Sequence, residues 1–203
     1  MFKYLTQKYK IFYLNKGDFF YLNKGDFLKI IFERCITQNF MGKINILLDN
    51  IRSGQNIGSI FRSADVFRVN HIYICGISAT PPNKEILKTA LGATETVSWK
   101  YFENTIDCID FLKEQGFELL AIEQSKNSKL LNDLKYDENK NYALIFGNEV
   151  EGVSSEILEK CDGIIEIPQF GNKHSLNVSV AAGIVLWDCI SKTVNPSEFS
   201  NRY

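Results

Sequence analysis

Short apolar runs alternate with helical patterns from residue 43 onward, and this alternation constrains the fold more than any other feature of the sequence. The apolar runs predict strands over residues 44–48, 71–75, 96–101, 118–122, 142–146 and 164–167. The segments between them predict helices over residues 56–69, 83–91, 104–115, 154–161 and 176–190. Such alternation favours an α/β fold, with a mostly parallel sheet and helices on both faces.

Single residues mark several of the predicted helix ends. Asn56 and Asn83 are good N-caps, and Gly116 is suited to close the helix before it. The helix over residues 176–190 is apolar nearly all round, so we expect it to be buried.

Composition excludes several classes of protein. A chain of 203 residues with 45% hydrophobic and 23% charged residues is typical of one soluble globular domain, not of a disordered or fibrous protein. Two histidines are too few for a His-rich metal site, and we expect no metal. No apolar run reaches the roughly 18 residues that span a bilayer, so we expect no membrane partner. Five cysteines without a C-x-x-C pair indicate reduced thiols in a cytoplasmic protein.

The first forty residues differ from the rest of the chain. They hold eleven of the 26 aromatic residues and seven basic against three acidic residues. The eight residues 12–19 are repeated without change as residues 20–27, a period too short for a solenoid unit. We therefore predict a basic, aromatic extension over residues 1–40 and a second domain over residues 41–203. Two interpretations of the extension stay open, an arm that stacks on RNA bases and a poorly ordered or helical segment.

Three polar, Gly-rich loops follow predicted strands, at the sheet edge where ligands of such folds bind. The first runs over residues 49–62, the second over residues 146–154 and the third over residues 167–179. None matches the G-x-G-x-x-G dinucleotide fingerprint or the G-x-x-x-x-G-K-[ST] phosphate loop. The sequence therefore supports neither a Rossmann dinucleotide site nor the nucleotide site of a P-loop NTPase.

Together and in this order, the loops resemble the three signature motifs of the SpoU (TrmH) family of SPOUT RNA methyltransferases. The first motif, N-x-G-x-x-x-R, is present as Asn56, Gly58 and Arg62. The second, F-G-x-E-x-x-G, occupies residues 146–152, and the third is I-P at residues 167–168 followed by S-L-N-V-S-V-A at residues 175–181. The resemblance covers about residues 43–193 and leaves the first forty residues outside.

The resemblance implies a fold and a reaction. Proteins of this family transfer a methyl group from S-adenosylmethionine (AdoMet) to a ribose 2′-oxygen of tRNA or rRNA. Their C-terminal segment forms a deep trefoil knot, and they work as homodimers. A catalytically silent knotted dimer that binds RNA or AdoMet is the alternative function. A generic flavodoxin-like module would explain the alternation but not the three motifs.

The resemblance also implies roles for single residues. The candidate catalytic residues are Arg62, Asn56, Glu149, Ser175 and Asn177. The candidate AdoMet-binding residues are Gly147, Asn148, Gly152, Ile167, Pro168 and Leu176.

Arg62 is assigned as the base in the family, but a guanidinium with a pKa above 12 is better suited to clamp a phosphate, and both roles stay open. A pair of Arg62 with Asp65 on the same helix is the structural alternative. Gly58 allows close approach of either the chain or RNA.

Overall fold

Two units make up the chain, one ending at Met41 and the other beginning at Gly42. The computed structural model describes residues 5–6, 9–13, 19–22, 43–172 and 175–193.

Three short strands form the described part of the first unit. They are β1 (Leu5–Thr6), β2 (Tyr9–Tyr13) and β3 (Phe19–Leu22). They pair antiparallel in chain order, and Phe12 of the first repeat copy lies opposite Phe20 of the second. The backbone is extended in these residues. The rest of the predicted extension lies outside the described residues, so its boundary at residue 40 and its RNA-binding role stay predictions.

A seven-stranded sheet forms the centre of the second unit. Its strands are β4 (Ile44–Asp49), β5 (His71–Cys75), β6 (Ser98–Phe102), β7 (Phe117–Ile122), β8 (Lys129–Leu130), β9 (Asn141–Phe146) and β10 (Gly163–Glu166). The strand order is β6-β5-β4-β9-β7-β10-β8, and every neighbouring pair is parallel. The predicted α/β class and parallel sheet are confirmed.

Six helices of the described residues accompany this sheet. They are α1 (Gly54–Val66), α2 (Lys84–Ala90), α3 (Ala93–Thr96), α4 (Thr105–Glu114), α5 (Ser155–Lys160) and α6 (Val178–Thr193). Asn83 caps α2 as predicted, and Gly116, at φ +76°, follows the end of α4.

Both faces of the sheet are buried, which explains the continuous apolar runs of its central strands. All six residues of β4 are buried. Leu47 and Tyr73 pack with α4 and α5 on one face. Side chains alternate along a strand, so the fully buried Ile46 and Leu48 point to the opposite face. There α1 packs against α2 and α6.

The first helix begins and ends elsewhere than predicted. It begins at Gly54 because Ser53 is the N-cap, with its hydroxyl accepting from the Asn56 N–H at 3.2 Å. The prediction that Asn56 caps this helix is therefore wrong. The helix ends at Val66 because Arg68 adopts a left-handed φ of +55°, and the Val69 N–H donates to the Ala64 carbonyl at 2.8 Å. This helix end was not visible in the sequence because the left-handed residue is an arginine instead of glycine.

The last helix differs from its prediction in position and burial. It begins at Val178, two residues later than expected, because the Asn177 side chain accepts from the Ser179 N–H at 2.9 Å. The expectation that it is buried all round is wrong. Val180, Ile184 and Trp187 form an exposed apolar stripe at helical spacing.

Three short elements were missed. Helix α3 occupies the start of the strand predicted from residue 96, so β6 begins only at Ser98. The polar stretch between β7 and β9 contains β8 and a 3₁₀ turn over Leu131–Asp133. Elements of two to four residues have too little periodicity to be recognised by pattern.

The segment that approaches Gly58 closely belongs to the chain itself, since helix α2 packs against it. A Cβ at this position would overlap the Ile86 carbonyl oxygen and the Thr89 hydroxyl of α2. The motif glycine therefore allows α1 and α2 to pack tightly against each other.

Composition predicts reduced thiols and no membrane-spanning segment, and the described cysteines and helices can be compared with both predictions. Cys75, Cys108 and Cys189 are buried free thiols, Cys161 is a partly buried one, and Cys35 lies outside the described residues. None of the helices just described is long and apolar enough to cross a bilayer.

Candidate functional site

The site lies at the carboxyl ends of the central strands. Strand β4 leads through its crossovers to β5 and β6 on one side, whereas β9, its other neighbour, leads towards β10 on the opposite side. Connections that diverge in this way open a crevice between two strands. The loops after β7, β9 and β10 line a cavity of about 290 Å³ there, and the loop after β4 is hydrogen-bonded to the loop after β9.

Seven predicted site residues line this cavity. They are Gly147, Asn148, Glu149, Gly152, Ile167, Ser175 and Leu176. Nine further lining residues are not among the predicted site residues, although five of them lie within the motif segments: Ile122, Glu123, Gln124, Phe146, Val150, Glu151, Gln169, Val178 and Ala181. Glu123 and Gln124 could have been found, because they directly follow the predicted strand that ends at Ile122 and ligands bind at such strand ends.

A chain of hydrogen bonds joins the three motif segments. The Asn56 side chain donates to Glu149 Oε1 at 3.1 Å, and its Oδ1 accepts from Asn177 Nδ2 at 3.0 Å. Asn177 in turn caps α6, so one polar chain connects the first turn of α1, the loop after β9 and the start of α6. Glu149, Asn56 and Asn177 are thus close together in space, although they are far apart in the sequence.

The Glu149 carboxylate also binds the backbone before α1. It accepts from the Arg52 N–H at 3.2 Å and from the Ser53 N–H at 3.3 Å. Partial burial raises the pKa of Glu149, but the hydrogen bonds it accepts outweigh burial and hold the pKa below its usual value. The carboxylate is therefore ionised at neutral pH, at the N-terminal end of a 13-residue helix whose dipole favours it.

This shift predicts a pH-dependent contribution to stability. A carboxyl group whose pKa is lowered by folding stabilises the folded state above its usual pKa of 4.5, and the contribution is lost as pH falls through the lower folded pKa. We expect Glu149→Gln to reduce the free energy of unfolding by about 1 kcal/mol near neutral pH, since solvent screens an exposed carboxylate. Urea unfolding at neutral pH and at pH values below 4.5 measures this, and the difference between the two proteins should shrink as the pH falls.

Glu151→Gln is the matched control, because the Glu151 side chain is exposed and makes no hydrogen bond within the described residues. Equal losses for both variants at neutral pH would contradict a specific role of the Glu149 hydrogen bonds.

The loop after β9 is held by its own side chains and glycines. Asn148 Oδ1 accepts from the Val150 N–H at 2.8 Å, and Asn148 Nδ2 donates to the Asn50 carbonyl at 2.9 Å. A Cβ on Gly147 would overlap the Gly152 carbonyl and the Val153 N–H, and Gly152 has a left-handed φ of +69°. The Asn148 side chain therefore shapes the loop, while the loop itself lines the cavity.

Four predicted site residues lie outside the cavity lining, namely Asn56, Asn177, Pro168 and Arg62, and the first two are joined to it through Glu149. Pro168 stands between the lining residues Ile167 and Gln169 without lining the cavity itself. Arg62 is exposed on α1, six residues and about 9 Å along the helix axis beyond Asn56. Its alternative pairing with Asp65 is not formed, and Asp65 accepts from the Thr96 hydroxyl at 2.5 Å instead. Among the described residues the Arg62 guanidinium has no hydrogen-bond or ion-pair partner.

No metal site accompanies this cavity in the described ranges, where no three His, Cys, Asp or Glu side chains are grouped to hold an ion.

Comparison with known proteins gives consistent matches. The sequence model of the SpoU rRNA Methylase family matches residues 43–187. An uncharacterized tRNA/rRNA methyltransferase of Borreliella burgdorferi is 34% identical over 143 residues, which are 70% of this chain and 61% of that protein. The chain thus spans about three fifths of the length of that relative.

Solved structures share the fold. The crystal structure of an AdoMet-bound rRNA methyltransferase from Sinorhizobium meliloti superposes with a TM-score of 0.72 at 26% identity, over 77% of this chain and 59% of that chain. The TrmH/SpoU tRNA modifying enzyme of A. aeolicus gives a TM-score of 0.67 at 26% identity, over 84% of this chain and 93% of that chain. With its motif segments joined at one cavity and a family match over most of its length, this chain belongs to the SpoU rRNA methylase family, also named TrmH.

Proposed function

We propose that this protein transfers a methyl group from AdoMet to a ribose 2′-oxygen of tRNA or rRNA. The hydrogen-bonded chain of Glu149, Asn56 and Asn177 at the edge of the cavity is the observation that carries the proposal. It brings together polar groups from three separate motifs beside a site large enough for a small molecule.

The cavity residues suit AdoMet. A volume of about 290 Å³ is at the lower end of small-molecule sites. Ile122, Ile167 and Leu176 supply apolar walls for an adenine ring, and the backbone of residues 147–152 supplies donors and acceptors for its edge. We assign Gly147, Asn148, Gly152, Ile167 and Leu176 to this site, with Pro168 fixing the backbone between the lining residues Ile167 and Gln169. AdoMet bound there would supply a sulfonium methyl group, which is a good electrophile.

The remaining residues would handle the ribose and its phosphate. A 2′-hydroxyl is a poor nucleophile at neutral pH, so it must be held in line and must lose its proton. Glu149, Asn56, Asn177 and Ser175 can accept or donate hydrogen bonds to ribose hydroxyls. Arg62 is free among the described residues to clamp the target phosphate with two parallel hydrogen bonds. To act as the base it would have to be in its neutral guanidine form, which becomes the guanidinium when it takes up the hydroxyl proton.

The experiment that tests this function is methyl transfer from labelled AdoMet to unmodified tRNA and rRNA pools. Nuclease digestion and nucleoside mass analysis then identify the product. We expect a 2′-O-methylated nucleoside from one pool. AdoMet binding without label in either pool would instead favour a catalytically silent protein, and a methylated base would contradict the ribose as the target.

We also propose that two copies of the chain pair through helix α6. The stripe of Val180, Ile184 and Trp187 supports this, with Trp187 56% exposed and its ring 6.4 Å from that of Phe67, the residue directly after α1. An exposed apolar stripe of this kind is typical of a protein interface. We expect Trp187→Glu to convert a dimer into a monomer in light scattering, whereas Leu91→Glu, at a similarly exposed leucine outside the stripe, should leave the mass unchanged.

A further inference from the structure

The two most exposed large apolar side chains of the described residues both lie on cavity loops. Phe170 is 98% exposed on the loop after β10, and Val150 is 78% exposed on the loop after β9. Val150 lines the cavity, and so does Gln169, the residue directly before Phe170. A phenylalanine gains about 1.5–3 kcal/mol when it is buried, so a fully exposed ring beside a site points to a ligand that covers it.

The surroundings of Phe170 favour a nucleobase over a protein surface. Its loop neighbours Gln169, Gly171 and Asn172 are amides or glycine, so the ring stands alone among polar groups. The interface expected on α6 is different, because there Val180, Ile184 and Trp187 are contiguous on one helix face. A nucleobase has apolar faces and polar edges, and it matches one flat ring flanked by amide donors and acceptors.

The position of the loop determines which part of the substrate meets this ring. Residues 167–177 begin and end at the cavity, with Ile167 and Gln169 at one side and Ser175 and Leu176 at the other. The same loop leads into Asn177, which is bonded to Asn56. Phe170 is therefore held at the rim of the site, next to where the target ribose would have to enter.

We propose that Phe170 stacks on an unpaired base of the RNA substrate, at the target nucleotide or its neighbour. This inference rests on the proposed function and adds a base-stacking contact to it. Stacking on an aromatic face tolerates any base, so Phe170 would contribute affinity and position without reading the sequence. The RNA must then present its target in a single-stranded loop or bulge, because paired bases do not expose their faces.

The test compares four variants of the full chain by filter binding of labelled bulk tRNA and bulk rRNA. We expect Phe170→Ala to weaken binding of the substrate pool roughly ten- to hundredfold, the range for loss of one base–aromatic stack. Phe170→Trp should keep the affinity close to the parent protein. Phe170→Leu should behave like the alanine variant, because it keeps apolar area but lacks a flat ring. Ile77→Ala is the matched control, since Ile77 is 65% exposed on a loop that does not line the cavity.

Two additional measurements separate stacking from other roles. The affinity for AdoMet, measured by calorimetry, and the mass in light scattering should be the same for all four variants and the parent. Unchanged RNA binding by Phe170→Ala, while the parent protein methylates RNA, overturns the stacking contact and leaves the proposed function intact. Loss of AdoMet affinity or of the dimer in Phe170→Ala also overturns it, since the ring would then contact the methyl donor or a second copy. A parent protein that neither binds nor methylates either pool overturns both.

Discussion

Replacing Arg62 by alanine is expected to lower kcat/KM for methyl transfer to RNA at least about a hundredfold, the usual effect of removing a general base or a charge-stabilising donor. AdoMet affinity should not change, because Arg62 does not line the cavity. The reason for expecting a large effect is the position of the side chain. It is exposed and without a partner in the described part of the chain, on the same helix as Asn56. Single-turnover transfer to the pool that accepts label, together with calorimetric titration of AdoMet, measures both quantities.

The two candidate roles of Arg62 predict different kinetics. A phosphate clamp acts mainly through substrate binding, so its loss should raise KM for RNA more than it lowers kcat. A base acts in the chemical step, so its loss should lower kcat and change the pH profile. Arg62→Lys keeps the charge but loses the planar fork, and near-normal turnover of this variant would contradict both roles.

Arg68→Asn is the matched control for Arg62→Ala. Arg68 is another exposed arginine, just beyond the end of α1, and its φ of +55° is tolerated by asparagine. The change removes one positive charge without straining the backbone. Equal losses in Arg68→Asn and Arg62→Ala would attribute the effect to net charge instead of to a site residue.

The sheet could be predicted from the sequence because its central strands are buried on both faces. Strand β4 is mostly apolar, with Asn45 and Asp49 as its polar residues, and the register of β9 against it places a second apolar run alongside. The order of the strands could not be predicted from periodicity, since a hydrophobic pattern does not indicate which strands are neighbours in the sheet. The trefoil knot is implied only by the family resemblance, and it stays a prediction.

The site was predicted in part, and the misses have physical causes. Motif spacing located Glu149, Asn56 and Asn177 but not the bonds among them, because these join residues up to 121 positions apart. The sequence does not identify Ser53 as the cap of α1, because Asn56, an equally good capping type at a plausible place, stands three residues later. The sequence predicts burial of the whole of α6, because hydrophobicity on every side of a helix does not distinguish a buried core helix from one that partly faces a partner.

A substitution in the loop after β9 is expected to have the second large effect, on the affinity for AdoMet. Gly147→Ala should weaken AdoMet binding more than about tenfold, because overpacking of a closely packed segment forces backbone shifts. The added methyl group would overlap the Gly152 carbonyl and the Val153 N–H, which are backbone atoms and cannot rotate away. The two ends of the loop must therefore move apart, at residues whose backbone lines the cavity. Calorimetric titration with AdoMet measures the loss, and thermal unfolding of the same sample shows whether the variant is folded.

Gly171→Ala is the control for that change, because it lies on the facing loop and an added Cβ meets nothing within 4 Å. It should bind AdoMet like the parent protein. If Gly147→Ala is folded and binds AdoMet as tightly as Gly171→Ala, the loop after β9 does not form the binding site for the methyl donor. If Gly147→Ala does not fold, Leu176→Asp separates folding from binding. Leu176 is 40% exposed at the cavity wall, so a charge there disturbs the apolar surface for adenine without entering the core.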